Sequence, residues 1–472
     1  MKQLETIYSK LPVWLQDAAV TAQGALYYRQ RFGDAFRREQ ALLRSTELVP
    51  ALQLELLQTA RLKRMLTHTR TSVPYYGRRI SKEAVDKLRA GDWTGLRELP
   101  LTAKHTVRDR TLDFCEGGVR DSKWIPWHTS GTTGSPMTLS YDRDAVSKQY
   151  AYVELYREQA GVNRFERRAQ FTGKNIVPGD RSSRYWRYDW ANRALMLSTV
   201  HLNSDTIPTY LEALERFRPT YISGYPSAIA LLARQALLNS ATRFKLKAAL
   251  TSAETLLEEQ REVIEAAFGA RVFDQYGQTE MQSFWFECRY RRMHAHPLFG
   301  VTEILRPNGE PCRPGEVGDV VLTGLLNTAM PLVRYQVGDR AAWSDEDRCP
   351  CGRAMAIIEK IEGRREDYVY SRERGWVGRM DPALKGVSGI LECQFVQESE
   401  DSLRVVFVPT TEFSEADRRI LATNLRNRLG ASMRFEFTEV ERIPRGANGK
   451  FRAVVSRVQR NDRPLGTLQE VA

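Results

Sequence analysis

The sequence predicts an α/β protein: a large N-terminal domain with mainly parallel sheets, led by a helical segment, and a small, mobile α+β C-terminal domain. Three observations carry this. A chain of 472 residues is too long for one ordinary core, so a large domain and at least one smaller one are expected. From Thr220 short apolar runs alternate with amphipathic helices: a run at 221–226, a helix to about Leu238, a run at 247–252, a helix over 257–268 and a run at 271–274. That alternation implies parallel pairing, with ligand-bearing residues at the carboxyl ends of the strands. Beyond Gly363 the composition shifts to strand-like 391–397 and 403–408, a helix over 414–429, a strand near 435–439 and a basic tail. The expected division is therefore 1–98, a helical lead packed on the main domain, 99–363, and 364–472.

Taken in order, residues 16–58 show helical spacing of apolar residues among many arginines. Trp14, Leu15, Leu26 and Tyr27 beside Arg29, Arg31, Arg37 and Arg38 give this segment a second reading, a weak membrane-surface face. Pro74-Tyr75-Tyr76-Gly77 ends a helix, and 99–104 turns into another with Thr102 as its cap. Residues 142–159 read as a helix and 169–173 as a short strand. Tyr185, Trp186, Tyr188 and Trp190 alternate with Arg184, Arg187 and Arg193; such mixtures stack bases, line acid pockets or, by default, pack a domain edge. Residues 315–325 and 331–343 read as antiparallel strands, with Gly338-Asp339 as a turn.

The 70 Lys and Arg exceed the 58 Asp and Glu, a net charge of +12 that suits an anionic ligand, a nucleic acid or an acidic membrane surface. No run of 18 apolar residues occurs, and the N-terminus lacks the order of a secretion signal, so a cytoplasmic location is expected. Six cysteines in this length do not make a disulfide framework. Cys288, His294, His296, Cys349 and Cys351 instead offer four ligands for a structural zinc ion, His294 preferred over His296. Cys115, Cys312 and Cys393 fit no pattern and read as packing residues.

The stretch Ser130-Gly131-Thr132-Thr133-Gly134-Ser135-Pro136 sets hydroxyls and amides between glycines, a loop suited to phosphate. It lacks the Gly-Lys-Ser/Thr ending of a P-loop, so its lysine must come from elsewhere. With 274–280 (DQYGQTE), 334–339 (RYQVGD), Gly363-Arg364 and 448–452 (NGKFR), it stands in the order and spacing of the adenylate-forming superfamily of acyl- and aryl-CoA ligases, luciferases and peptide-synthetase adenylation domains. Residues 223–227 (SGYPS), 327–335 (NTAMPLVRY) and the Cys-x-Cys-Gly-Arg at 349–353 most resemble the phenylacetate-CoA ligase branch, and the long helical lead its capsule-biosynthesis-associated members.

The resemblance implies that a carboxylate attacks the α-phosphate of ATP to give acyl-AMP and pyrophosphate, after which a nucleophile displaces AMP. By motif, Thr132 and Thr133, with Ser130, Gly131 and Gly134 beside them, hold the phosphates; Tyr276 stacks on adenine and Asp274 accepts from its exocyclic amine, with Glu254, Gln275 and Gly277 also among the nucleotide-binding residues. Thr279 bonds the α-phosphate, Glu280 holds Mg²⁺, Asp339 accepts the ribose hydroxyls beside Arg364, and Lys450 supplies the cation. Relatives imply that Tyr150, Ser252, Ala253 and Gly277 border the acid pocket, with an aromatic acid preferred. Two departures matter: the hinge reads Arg365-Glu366-Asp367 where many relatives carry an aspartate pair, and 373–391 lacks the turn that helps form the pantetheine tunnel. Coenzyme A is the expected acceptor, a sugar hydroxyl or amine in surface polysaccharide biosynthesis the alternative. A non-catalytic polyanion-binding protein is the reading of another class; nucleic acid is not the expected partner.

Overall fold

The computed structural model describes residues 2–128, 137–173, 176–178, 184–238, 244–364, 367–446 and 448–458. The chain forms two compact units from separated segments. Met1–Gly24, Phe165–Val272 and Glu362–Asp462 make the first, and Ala25–Arg164 with Phe273–Ile361 the second.

In the first unit the strands Ala248–Ser252, Tyr221–Gly224, Arg168–Thr172 and Ala194–Ser198 lie side by side and parallel, with Trp186–Asp189 antiparallel at the edge. Most residues of the four parallel strands are buried, as suits strands covered on both faces. Helices Ile207–Phe217, Pro226–Leu238 and Glu258–Phe268 join them in one apolar cluster that also takes Leu391, Val408 and Ile443 from the C-terminal segment. That segment adds a sheet ordered Arg434–Glu439, Ser402–Pro409, Ile390–Ser399, Val454–Ser456. Helix Glu415–Leu429 starts at a Ser414–Asp417 capping box and turns Leu421, Leu425 and Leu429, one face at four-residue spacing, onto Phe395, Val405 and Phe407.

The arginine–aromatic stretch packs a domain edge. Trp186 and Tyr188 lie against the apolar cluster, Arg187 is buried and donates to Gln16 Oε1 at 2.7 Å, and Arg184 pairs with Asp17 at 2.8 Å. Arg184 and Arg187 thus hold the N-terminal segment, which Tyr8 secures further by donating to the Ile176 carbonyl at 2.7 Å.

In the second unit, helices Asp34–Ser45, Ala51–Ser72 and Arg143–Gln159 accompany strands in the order Gly300–Leu305, Gly318–Gly324, Tyr335–Trp343, Ile357–Arg364, Met293–Ala295, Phe284–Glu287. Phe284–Glu287 pairs antiparallel with the end of Arg271–Gly277, setting Tyr276 opposite Trp285 and Gln275 opposite Phe286. Asp142 caps the helix through Ala145 N–H at 2.6 Å, and its other oxygen accepts from Thr328 N–H at 2.8 Å.

Two local expectations are corrected. Thr102 is not a helix cap: Lys104–Asp109 starts after Ala103 without a side-chain cap, and the buried Thr102 hydroxyl donates to the Val333 carbonyl at 2.8 Å. Its backbone donates to Arg334 O and accepts from Gln336 N–H, both at 2.9 Å, so the segment docks onto a strand. Gly338-Asp339 is not a turn but lies inside Tyr335–Trp343, where Gly338 at φ +88° accompanies a shift in the pairing register with Gly318–Gly324.

Candidate functional site

In the second unit the expected nucleotide residues form a connected polar set. The Tyr276 ring stacks on Trp285 at 4.1 Å, and its hydroxyl donates to Asp339 Oδ2 at 2.6 Å. One face of the ring is thereby occupied, and a carboxylate is fixed at its polar tip. Asp274 and Gln275 lie on the same strand, and Asp274 N–H donates to Glu287 Oε2 at 3.0 Å. Beyond Gly277 the chain is closed by Gln278, whose Oε1 accepts from Gln282 and Ser283 N–H at 3.2 and 3.1 Å.

Glu280 is 5% exposed; its carboxylate accepts from Tyr335 O–H at 3.0 Å and lies 4.0 Å from Lys104 Nζ. A buried carboxylate with one cation at that range suits a hard divalent ion. The Thr279 carbonyl accepts from Tyr141 O–H, whose pKa burial raises, with the charge of Glu280 adding. Lys104 escaped sequence reasoning, because only the docking of Thr102 onto the Tyr335 strand carries it there. Tyr150 lies under the Arg31 guanidinium at 4.3 Å and edge-on to Phe32. Ser130, Gly131, Thr132, Thr133 and Gly134 lie outside the described residues.

In the first unit the Lys450 loop meets the carboxyl ends of the parallel strands. Tyr225, just past Tyr221–Gly224, donates from its hydroxyl to the Asn448 carbonyl at 3.0 Å, and its ring lies 5.9 Å from Lys450 Nζ. Glu254, two residues past Ala248–Ser252, accepts from Phe451 N–H at 2.8 Å and from Ser227 N–H at 3.3 Å. Ala253 before it holds φ +69°, unusual for a residue with a side chain. Arg445 donates to Ser227 Oγ at 2.8 Å and pairs with Glu392. A Cβ at Gly173 would meet the Asn448 carbonyl and one at Gly449 the Thr199 hydroxyl, so both glycines permit the close approach. Arg364 ends the strand Ile357–Arg364, directly after Gly363 at φ +90°.

A third group gathers in the second unit. Donor atoms of Cys288, His294, Cys349 and Cys351 all lie within 4.8 Å of one another. Cys288 Sγ is 3.6 Å from Cys349 Sγ, and Cys351 Sγ 3.4 Å from His294 Nε2. His296 is not in the group: its Nδ1 accepts from Leu298 N–H at 3.3 Å and its ring meets Tyr152 edge-on. Burial lowers the pKa of His294 to about 4 and that of His296 to about 3, and pushes the Cys349 thiol up to about 12. Cys115, Cys312 and Cys393 are buried and free.

Residues 369–457 match the CapK C-terminal domain family. The chain is 27% identical to Protein CapK of Staphylococcus aureus over 465 residues, covering 97% of this chain and 100% of that one. It is 25% identical to a phenylacetate-coenzyme A ligase of Thermus thermophilus over 440 residues, 87% of this chain and 98% of the relative. Among solved structures, 2-hydroxyisobutyryl-CoA ligase in a postadenylation state superposes with a TM-score of 0.69 at 21% identity, over 87% of this chain and 91% of that one. Over most of its length the chain is thus similar in sequence to CapK and to phenylacetate-CoA ligases, and it shares the fold of an acyl-CoA ligase.

Proposed function

We propose that this protein activates a carboxylic acid with Mg·ATP and passes the acyl group to the thiol of coenzyme A. The carboxylate oxygen attacks the α-phosphorus and pyrophosphate leaves; the thiolate then attacks the acyl carbon and AMP leaves. The observation that carries this is the Lys450 loop at the carboxyl ends of the parallel strands, held by Glu254 and Tyr225. There the ammonium steadies the carboxylate and the α-phosphate during in-line displacement. Tyr276 and Asp274 take the adenine, Asp339 and Arg364 the ribose, Thr279 the α-phosphate, and Glu280 the Mg²⁺ that offsets phosphate charge. Residues 130–134 take the outer phosphates, and Tyr150, Ser252, Ala253 and Gly277 border an acid of aromatic type. Residues 364–472 move between the half-reactions. ATP supply favours the cytoplasm, and a structural metal ion at the cysteine–histidine group takes no part in the chemistry.

A second reading keeps the adenylate and passes the acyl group to a sugar hydroxyl or amine of a surface polysaccharide. It is favoured by the CapK C-terminal domain match over 369–457, which includes the whole stretch 373–391 where the sequence departs from the pantetheine-binding pattern. ATP–pyrophosphate exchange with Mg²⁺ and a panel of aromatic, fatty and amino acids, beside Lys450→Ala, tests the shared first step. Exchange driven by one acid and lost in the variant supports the proposal; ATP that fails to bind refutes it. Coenzyme A or a sugar acceptor added afterwards separates the two readings.

A further inference from the structure

We infer that Cys288, His294, Cys349 and Cys351 bind one structural zinc ion that clamps the strand backing the nucleotide residues. Tetrahedral bonds of about 2.3 Å to sulfur and about 2.0 Å to nitrogen set neighbouring donors roughly 3.5–3.8 Å apart. The Cys288–Cys349 sulfur–sulfur and Cys351–His294 sulfur–nitrogen separations, 3.6 and 3.4 Å, fall at that scale. A disulfide needs about 2.05 Å between sulfurs, so Cys288 and Cys349 are not spaced as a bridge. Three thiolates and one imidazole suit zinc, and four protein ligands leave no position for substrate or water, which makes the ion structural.

The surroundings select the ligands. His294 Nδ1 is 3.4 Å from the Met355 carbonyl, which fixes the proton there and leaves Nε2 toward the thiols. Tyr290 N–H donates to Cys288 Sγ at 3.4 Å, and Gly352 at φ +84° shapes the turn that presents Cys349 and Cys351. His296 has its Nδ1 engaged by a backbone N–H, which excludes it as the fourth donor.

The position gives the ion its task. Cys288 directly follows Glu287, whose carboxylate accepts from Asp274 N–H, and the strand Phe284–Glu287 pairs with Gln275 and Tyr276. His294 lies on the next strand, Met293–Ala295, and the two cysteines at 349 and 351 lie before Ile357–Arg364, which pairs with it. One ion therefore ties three successive strands at one end. The inference does not depend on which acid or acceptor the protein uses.

The test is the metal content of the whole protein, purified without added metal and without chelator, by plasma mass spectrometry. One zinc per chain is expected, released to a chromogenic chelator when an organomercurial caps the thiols. Cys351→Ser, at the least buried ligand, and His294→Ala are each expected to hold less than about a tenth of the wild-type zinc, and His296→Gln to keep it. Cobalt substitution is expected to give tetrahedral d–d bands with thiolate charge transfer. Hydrogen exchange of 284–295 and 349–358 is expected to rise on zinc removal. Overturning results are folded wild-type protein with no bound metal and reactive thiols, stoichiometric iron in place of zinc, or zinc lost on changing His296 and kept on changing His294. The wild-type measurement decides the matter even if a ligand variant fails to fold.

Discussion

Replacing Glu254 with alanine separates the docking of the Lys450 loop from everything else that residue 450 does. Glu254 is the acceptor for Phe451 N–H at 2.8 Å, next to the lysine in the chain. A hydrogen bond to a charged acceptor is worth about 1.5–3 kcal/mol, and about 1.4 kcal/mol is tenfold in rate. If the loop must sit where it is found for the adenylate to form, the variant loses about 10- to 150-fold in pyrophosphate exchange. The second half-reaction, started from preformed acyl-adenylate in a single turnover, should change by less than about threefold, because by the proposed domain movement the loop has left. Glu254→Gln keeps an acceptor and should fall in between. Equal losses in both half-reactions, or full exchange activity in Glu254→Ala, would refute the assignment of this loop position to adenylation.

Three further outcomes follow from single contacts. Tyr276→Phe keeps the stack on Trp285 but removes the donor to Asp339, and should raise the KM for ATP about tenfold with kcat little changed, as expected for losing about 1.4 kcal/mol of uniform binding. Tyr335→Phe removes the hydrogen bond to Glu280, leaving its carboxylate less fixed, so the Mg²⁺ concentration for half-maximal exchange should rise; an unchanged Mg²⁺ dependence would argue against Glu280 as a ligand. Glu392 has a raised pKa from burial, which Arg445 only partly opposes. Its stabilising contribution is therefore full below the unfolded value of 4.5 and lost as pH rises through the higher folded value. Urea unfolding of wild type against Glu392→Gln should show that pH-dependent difference, and parallel curves would contradict it.

The parallel strands and the helices between them were legible because short runs that open apolar, such as Tyr221-Ile222 and Ala248-Ala249-Leu250, alternate with helices of 3.6-residue period. What escaped was decided by distant partners. Thr102 has the local chemistry of a cap, yet a strand 233 residues further on offers its backbone and hydroxyl better-buried partners. Gly338-Asp339 has turn composition, but lies inside a ladder that absorbs it as an irregularity. Nothing near Tyr8, Gln16 or Asp17 marks them as clamps on Ile176, Arg187 and Tyr188, since polar residues on a helix ordinarily face water. The cysteine–histidine group was legible because few residue types bind soft metals, so a sparse pattern carries information without a regular spacing.

The discontinuity of the first unit has a consequence during synthesis. Its apolar cluster opens at Ala169 and is completed by Ile443, so 274 further residues must be added after its first member before its last is in place. At about 5–20 residues per second that interval is roughly 14–55 s. Through it the nascent chain carries the faces that Leu391, Val408 and Ile443 will cover, while still attached to the ribosome. Expression yield should therefore respond to chaperone supply and translation speed, and a chain stopped before residue 391 should aggregate.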